Sequence, residues 1–349
     1  MNRSRESPLV ARIAALLAQD DSESLRDALM ALLEQPQSAA WLRALDHAGL
    51  LTRIVPELEP ARDVDQPIVH FLPVLAHSLE TVAAVDWLFS QLFVVHNSLS
   101  VAPPDEPAAL DNEQVTTDSL HALPIAVQSH PELRYTSVYM EELRAHFEEI
   151  FSAGRSRAAL FRLAALLHDI AKPQTKQLKP GGGVSFHEHQ TIGAQVAVTV
   201  ARRLRLTEEE TSYIGRVVRE HMRPGQLAGL DKVMLRAVRR FFDATDDAGP
   251  DVLLHSLADH LATRGPHLDV AAWRAQAAWT DALLDVLWGE QIEPPRPLLN
   301  GDELMRALGI GPGPLVGRLL AAIGEAQAGG DIATAEEAIL LARRLLRDA

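Results

Sequence analysis

The sequence predicts an almost entirely α-helical protein, on three observations. Ala, Leu, Arg and Glu dominate the chain, and its apolar residues recur with a period near 3.6. Alternating runs of β-branched residues, the mark of strands, are almost absent. Thr207 with Glu210 and Thr334 with Glu337 have capping-box spacing, in which a hydroxyl and a carboxylate three residues apart satisfy free backbone donors at a helix start. The fold class expected is therefore all-α, a helical core with one small β-hairpin and helical segments on either side.

Short amphipathic helices are expected over 9–18, 22–34 and 38–50, closed by Pro56 and Pro60. A helix over 71–93 follows, with Leu75, Leu79, Val82 and Val85 along one side. Residues 96–133 break the pattern with Pro103, Pro104, Pro107, Pro124 and Pro131. Such a long connection is expected to be partly disordered, either as a cover over a site or as an insert. Helices return at 136–151 and 155–171. Residues 174–187 read as a hairpin with Gly181, Gly182 and Gly183 at its tip. A helix over 190–205 puts Ile192, Val196, Val200 and Leu204 on one stripe. The next begins at Thr207, runs to about Met222 and is stopped by Pro224; 232–243, 251–263 and 267–289 continue the series. Pro294, Pro295 and Pro297 mark a boundary before the last helices. The domains expected are an N-terminal helical segment over 1–60, a central domain over 61–265 carrying the 96–133 insert, and a C-terminal helical region over 266–349.

Composition narrows the function. The 349 residues are 47% hydrophobic, enough for a real core and too much for a disordered chain. There is no cysteine, which removes disulfides, thiolate catalysis, zinc fingers and iron–sulfur clusters. A net charge of −14 speaks against a protein that coats nucleic acid or anionic membrane and leaves room for a phosphate only in a local pocket. Arg12 interrupts the one early apolar run, and no stretch is long enough to span a bilayer; a cytoplasmic protein is expected. Histidine is over-represented, with 14 copies against 5 tryptophans and 3 tyrosines.

The strongest local signal is Leu166-Leu167-His168-Asp169-Ile170-Ala171-Lys172, an apolar helix ending in an adjacent imidazole and carboxylate. Burying both is costly without compensation, and a divalent cation supplies it. His77 sits in the apolar helix over 71–93, His189 opens the helix after the hairpin, His221 shares a face with Ile214, Val217 and Val218, and Asp259 lies among apolar neighbours. Each alone reads more readily as a satisfied core residue; six in this order do not.

This order resembles the HD-domain superfamily of metal-dependent phosphohydrolases, whose pattern is a His, a His-Asp pair, two further His in many members, and a distal Asp. Leu166–Lys172, Phe186-His187-Glu188-His189, Ile192-Gly193-Ala194 and Val218–Pro224 are similar to the HD domain attached to bacterial CCA-adding tRNA nucleotidyltransferases. The flanks agree, in Ala48–Leu58 and in Leu298–Gln327, so the similarity covers most of 40–346 except the insert at about 96–135. Those enzymes carry a nucleotidyl-transfer head with a Gly-Ser motif and paired aspartates. No counterpart is expected in this chain, and Asp63-Val64-Asp65 lacks the Gly-rich strand that such a motif needs.

The resemblance implies a metal on His77, His168, Asp169 and Asp259, and a second on His189 and His221 with Asp169 bridging. With one metal only, His189 and His221 would face the substrate instead. Such N/O ligands suit Mn, Fe, Ni, Co or Mg better than a closed zinc site. The catalytic residues expected are His168, Asp169 and Lys172. Lys172 and Arg223 are the candidates for the substrate phosphate, each with the plainer reading of a helix-end cation. His255, one turn before Asp259, is either a partner of the ligands or core; His187 is a weaker alternative to His189. Lys176 and Lys179 flank the glycine tip. The clusters Arg202/Arg203/Arg205, Arg236/Arg239/Arg240 and Arg343/Arg344/Arg347 read as solvated faces. Gly311-Pro312-Gly313 reads as the approach to a helix entered through Pro314.

The function expected is hydrolysis of a nucleotide, 2′,3′-cyclic nucleotide or RNA-terminal phosphate by metal-activated water. The partners are a phosphorylated small molecule or an RNA end, with no membrane, and a homodimer is left open. Two alternatives remain: a non-catalytic tRNA- or RNA-interaction module, and a domain whose metal is only a staple.

Overall fold

A computed structural model describes residues 8–19, 21–67, 69–93, 123–228, 235–289, 297–328 and 331–347. The elements are α1 (Pro8–Gln19), α2 (Ser22–Leu33), α3 (Ser38–His47), α4 (Leu51–Ile54), α5 (Val74–Phe93), α6 (Ile125–Ser129), α7 (Met140–Glu148), β1 (Ile150–Ser152), β2 (Arg155–Ser156), α8 (Arg157–Leu167) and α9 (Lys172–Thr175). They continue with β3 (Lys176–Leu178), β4 (Val184–Phe186), α10 (His189–Arg203), α11 (Glu208–Glu220), α12 (Arg223–Ala228), α13 (Leu235–Thr245), α14 (Gly249–Arg264), α15 (Val270–Trp288), α16 (Gly301–Leu308), α17 (Pro314–Ala328) and α18 (Ala335–Arg347). The fold is all-α, and among the described residues the strands form two small antiparallel pairs, β1 with β2 and β3 with β4. None of the described helices is long and apolar enough to cross a membrane.

The chain divides into two compact units, one of Met1–Gly225 with Thr245–Ala282, the other of Gln226–Ala244 with Leu283–Ala349. In the first, α5 packs against α3, α8 and α14, and α11 pairs with α10 and α8. α5 and α8 are buried nearly all round, as an apolar helix at the centre of a bundle must be. Their buried charges are all partnered. Asp86 of α5 accepts from Arg162 Nε at 2.7 Å and from the Ala39 amide at 2.9 Å, so it also caps α3 from outside. Glu80 meets Arg43 at 2.6 Å. In the second unit, α16, α17 and α18 bury Leu304, Leu319, Ile323, Ala338 and Ala342 together.

The sequence signals for helix starts hold in atomic detail. Thr207 Oγ1 accepts from the Glu210 amide at 3.2 Å, and Glu210 accepts the Thr207 amide at 2.8 Å. Thr334 and Glu337 repeat the box, and α17 begins at Pro314. Other boundaries shift for physical reasons. The helix expected at 71–93 begins at Val74, after Pro73. The helix expected over 38–50 stops at His47, because Gly49 takes φ +67 and lets the Leu50 amide close on Leu45 O at 2.8 Å. The expected helix over 136–151 stops at Glu148, and that over 155–171 runs from Arg157 to Leu167. Between them lies a hairpin absent from the sequence reading, turned by Ala153 and Gly154, both at positive φ. Of the 96–133 connection, 123–133 is described and holds α6; the expected disorder at 96–122 lies outside the described residues.

Candidate metal centre

The residues singled out in the sequence sit at helix ends and on two buried helix faces. His77 lies on α5, Asp259 on α14. His168 and His221 are the residues that cap α8 and α11, and His189 opens α10 behind the left-handed Glu188. Helix C-termini leave carbonyls unpaired, and the two capping histidines use them. His168 Nδ1 donates to Ala165 O at 2.8 Å, and His221 Nδ1 donates to Val218 O at 2.7 Å. His189 Nδ1 does the same to Phe186 O of β4 at 2.7 Å. With Nδ1 protonated in each, Nε2 carries a lone pair, the tautomer a metal-binding imidazole needs.

Those lone pairs converge on Asp169. Its Oδ2 lies 3.1 Å from His168 Nε2 and 3.6 Å from His77 Nε2; its Oδ1 lies 3.4 Å from His189 Nε2 and 3.9 Å from His221 Nε2. Two donor groups result, His77/His168/Asp169 and Asp169/His189/His221, each with ligand atoms within 4.8 Å of one another. Asp259 Oδ1 lies beside the first, 2.9 Å from His77 Nε2 and 3.9 Å from His168 Nε2. The six side chains therefore meet, across 182 positions of sequence from 77 to 259.

The chemistry of the donors fits divalent cations. His189 Nε2 and His221 Nε2 face each other at 3.3 Å. Two lone pairs repel at that distance unless a cation or a shared proton stands between them. His168 Nε2 is buried without an aligned hydrogen bond, which buried polar atoms rarely tolerate. Burial raises the Asp169 carboxyl, but the His168 imidazole and the Lys172 ammonium outweigh it and hold the group well below the usual carboxylate range. Asp259 is likewise held low, desolvation being overcome by its bond to His77. Burial works against a charged His168, yet Asp169 overrides it and raises the ring. Burial, with His168 close by, pushes His221 down to about 3. The carboxylates are thus held ionised and His221 neutral, as ligation requires, while a cation bound there would displace the proton that Asp169 favours on His168.

Lys172 opens α9, and its Nζ lies 2.6 Å from Asp169 Oδ2 and 2.5 Å from Gln66 Oε1. Arg223 is further out, with Nε 3.3 Å from Glu220. His255 is fully buried, its ring 4.7 Å from that of His168 and 5.6 Å from that of His221, so it packs behind the ligands. His187, Lys176 and Lys179 stay on the exposed hairpin side. Sequence reasoning missed His70, whose ring stands 5.2 Å from that of His77, and Gln66. Both lie in a loop without periodicity, so nothing in the pattern marks them.

Comparison with known proteins finds a family match and several relatives. The HD domain family matches residues 135–264. The chain is 31% identical to the CC-adding tRNA nucleotidyltransferase of Thermus thermophilus, over 90% of this chain and 55% of that protein. It is 29% identical to the A-adding tRNA nucleotidyltransferase of Deinococcus radiodurans, over 92% of this chain and 58% of that protein. It thus spans little more than half the length of these two relatives. A bifunctional uridylyltransferase/uridylyl-removing enzyme of Mycobacterium tuberculosis is 25% identical over 62% of this chain and 18% of its own. Residues 135–264 thus match an HD domain, and the similarity to the two tRNA nucleotidyltransferases extends over most of the chain.

Proposed function

We propose that this chain is a metal-dependent phosphohydrolase that cleaves a terminal or 2′,3′-cyclic phosphate of a nucleotide or RNA end. The observation that carries this reading is the split allegiance of Asp169, one oxygen toward His77 and His168, the other toward His189 and His221. His77, His168, Asp169 and Asp259 would hold one cation, and His189, His221 and Asp169 a second. Mn, Fe, Ni, Co and Mg all suit such ligands. Bound there, divalent cations acidify a water and polarise a phosphoryl oxygen. The chain's own residues do the rest. The three Nδ1–carbonyl bonds fix the ring orientations before anything binds. Lys172 offsets the charge of Asp169 and stands ready to share a phosphate oxygen; Arg223, two residues past His221 and paired with Glu220, would be a second cation for the phosphate. RNA ends enter as a substrate class because two relatives are named for tRNA, and removal chemistry because another is named uridylyl-removing.

The test is metal analysis of the purified chain, with hydrolysis of bis(p-nitrophenyl) phosphate and of 2′,3′-cyclic AMP. Turnover should require the metal, and His168→Ala and Asp169→Ala should each lower it at least about 10³-fold, the scale of losing an essential catalytic group. Turnover that survives both substitutions would overturn the reading. A chain that binds metal and melts on chelation without any turnover would be the stapled domain, and one that binds tRNA without hydrolysis the interaction module.

A further inference from the structure

We propose that His70 is a substrate-binding residue of this centre, donating from Nε2 to a phosphate oxygen of the ligand. The inference rests on the phosphohydrolase reading and adds to it a residue outside the six proposed ligands. The His70 ring stands edge-on to His77, with centroids 5.2 Å apart and planes at 76°. It is half-buried, and its Nδ1 is sealed without a partner, so Nε2 is the nitrogen that faces outward. With the proton on Nε2, the sealed atom is a bare lone pair and an N–H donor points from the rim of the centre. The acceptor it lacks is what a phosphate supplies. His70 is not a member of either donor group, so it stands beside the ligands rather than among them.

The loop that carries His70 is tied down at several of its described residues. Arg62 clasps Asp46 at 2.8 Å and Glu59 at 3.0 Å where the loop begins. The Val74 amide donates to Val64 O at 3.1 Å, and the His70 amide to Pro67 O at 2.8 Å. Gln66 donates to Leu72 O at 3.1 Å and accepts from Lys172, the partner of Asp169. Phe71, next in sequence, lies so close to Gly265 that a Cβ there would come within 2.1 Å of its ring. Gly265, at φ +48, follows α14, which bears Asp259. The loop is thus tied to Lys172 on one side and to the end of the Asp259 helix on the other. A side chain carried on a loop held at these points, with its outward nitrogen free, is placed to meet a ligand.

The experiment uses the full chain loaded with Mn²⁺ and inorganic phosphate as the probe, by titration calorimetry. His70→Ala should leave the number of bound Mn²⁺ unchanged and weaken phosphate about tenfold, the effect of one hydrogen bond to a charged group. His70→Gln, whose amide reaches the position of Nε2, should restore most of that loss; His70→Asn, which reaches only as far as Nδ1, should not. With bis(p-nitrophenyl) phosphate the loss should fall on KM more than on kcat. Unchanged phosphate affinity in His70→Ala overturns the inference, and so does a loss of Mn²⁺, which would make His70 a ligand. If those results come with wild-type turnover that needs Mn²⁺, this inference alone fails. A wild-type chain that binds no divalent cation removes the phosphohydrolase reading and this inference with it.

Discussion

Single residues explain why the centre can exist in a protein without disulfides. Asp251 of α14 is completely buried and accepts from His146 Nε2 at 2.7 Å and from the Tyr213 hydroxyl, with Arg157 Nη1 at 3.5 Å. It sits on the same helix as Asp259 and ties that helix to α7, α8 and α11. Burial raises the Asp251 carboxyl, but His146 and Arg157 outweigh it and hold it below the ordinary value of 3.8. A lowered folded value means that the native state prefers the charged form. The stabilisation is present above pH ~4, the unfolded carboxylate value, and is lost as pH falls through the folded value. Asp251→Asn should therefore cost about 3 kcal/mol at pH 7, because Arg157 is left with a buried charge and one partner fewer. The gap to wild type should narrow at pH 3, as measured by urea unfolding at both values. An equal gap at both would show that packing, not charge, sets the effect. None of this network was legible in the sequence: His146, Arg157, Tyr213 and Asp251 fall on four elements, and only folding brings them together.

At the scale of elements, the sequence was most legible where one local force decides. Helix starts at Thr207 and Thr334 follow from side-chain capping, and the hairpin at Gly181–Gly183 from three positive φ values. It was least legible where the same residues permit two structures. Ala153-Gly154 carries no Asn or Asp, yet both residues take positive φ, and a hairpin replaces the expected helix ends. The six proposed ligands stood out for another reason: most are charged or imidazole groups beside apolar helix positions, which is conspicuous without knowledge of the contacts. Thr207→Ala should cost about 1 kcal/mol in thermal unfolding and leave metal content alone. Gly193 tests the link between element and centre. Its Cα faces His168 O, Ala171 and Val218, and an added Cβ would stand 3.6, 3.6 and 3.4 Å from them. Gly193→Ala should be accepted with a small stability change, since helix propensity gains about 1 kcal/mol against mild crowding. Gly193→Leu has no such room and should push α10, with His189, away from α8. Metal analysis should then show a lower metal count than wild type. Full occupancy in Gly193→Leu would mean that the spacing of these helices does not matter to the centre.

At the scale of the whole chain, charge and ligation pull in different directions. The basic cluster at 202–205 is largely paired, Arg202 with Glu208 at 3.0 Å, Arg203 with Glu57 and Arg205 with Glu23 at 4.0 Å, so little of it remains as a field for RNA. With a net charge of −14, affinity for a phosphorylated ligand must come from the centre. The same centre should dominate stability. Its proposed ligands come from α5, the end of α8, α10, α11 and α14, so the unfolded chain holds them far apart and cannot reproduce the site. A cation that binds only the folded form stabilises by RT ln(1 + [M]/Kd), about 2.7 kcal/mol at a hundredfold excess over Kd. For a domain of this size that corresponds to a rise of roughly 5–10 °C in Tm. Adding Mn²⁺ to chelated protein should therefore raise Tm by that amount and slow amide exchange in α5, α8 and α14. Asp169→Asn should abolish both effects, because both donor groups share that carboxylate. Wild-type protein whose Tm ignores Mn²⁺, or an Asp169→Asn variant that responds as wild type does, would show that these buried imidazoles and carboxylates meet for some purpose other than holding a metal.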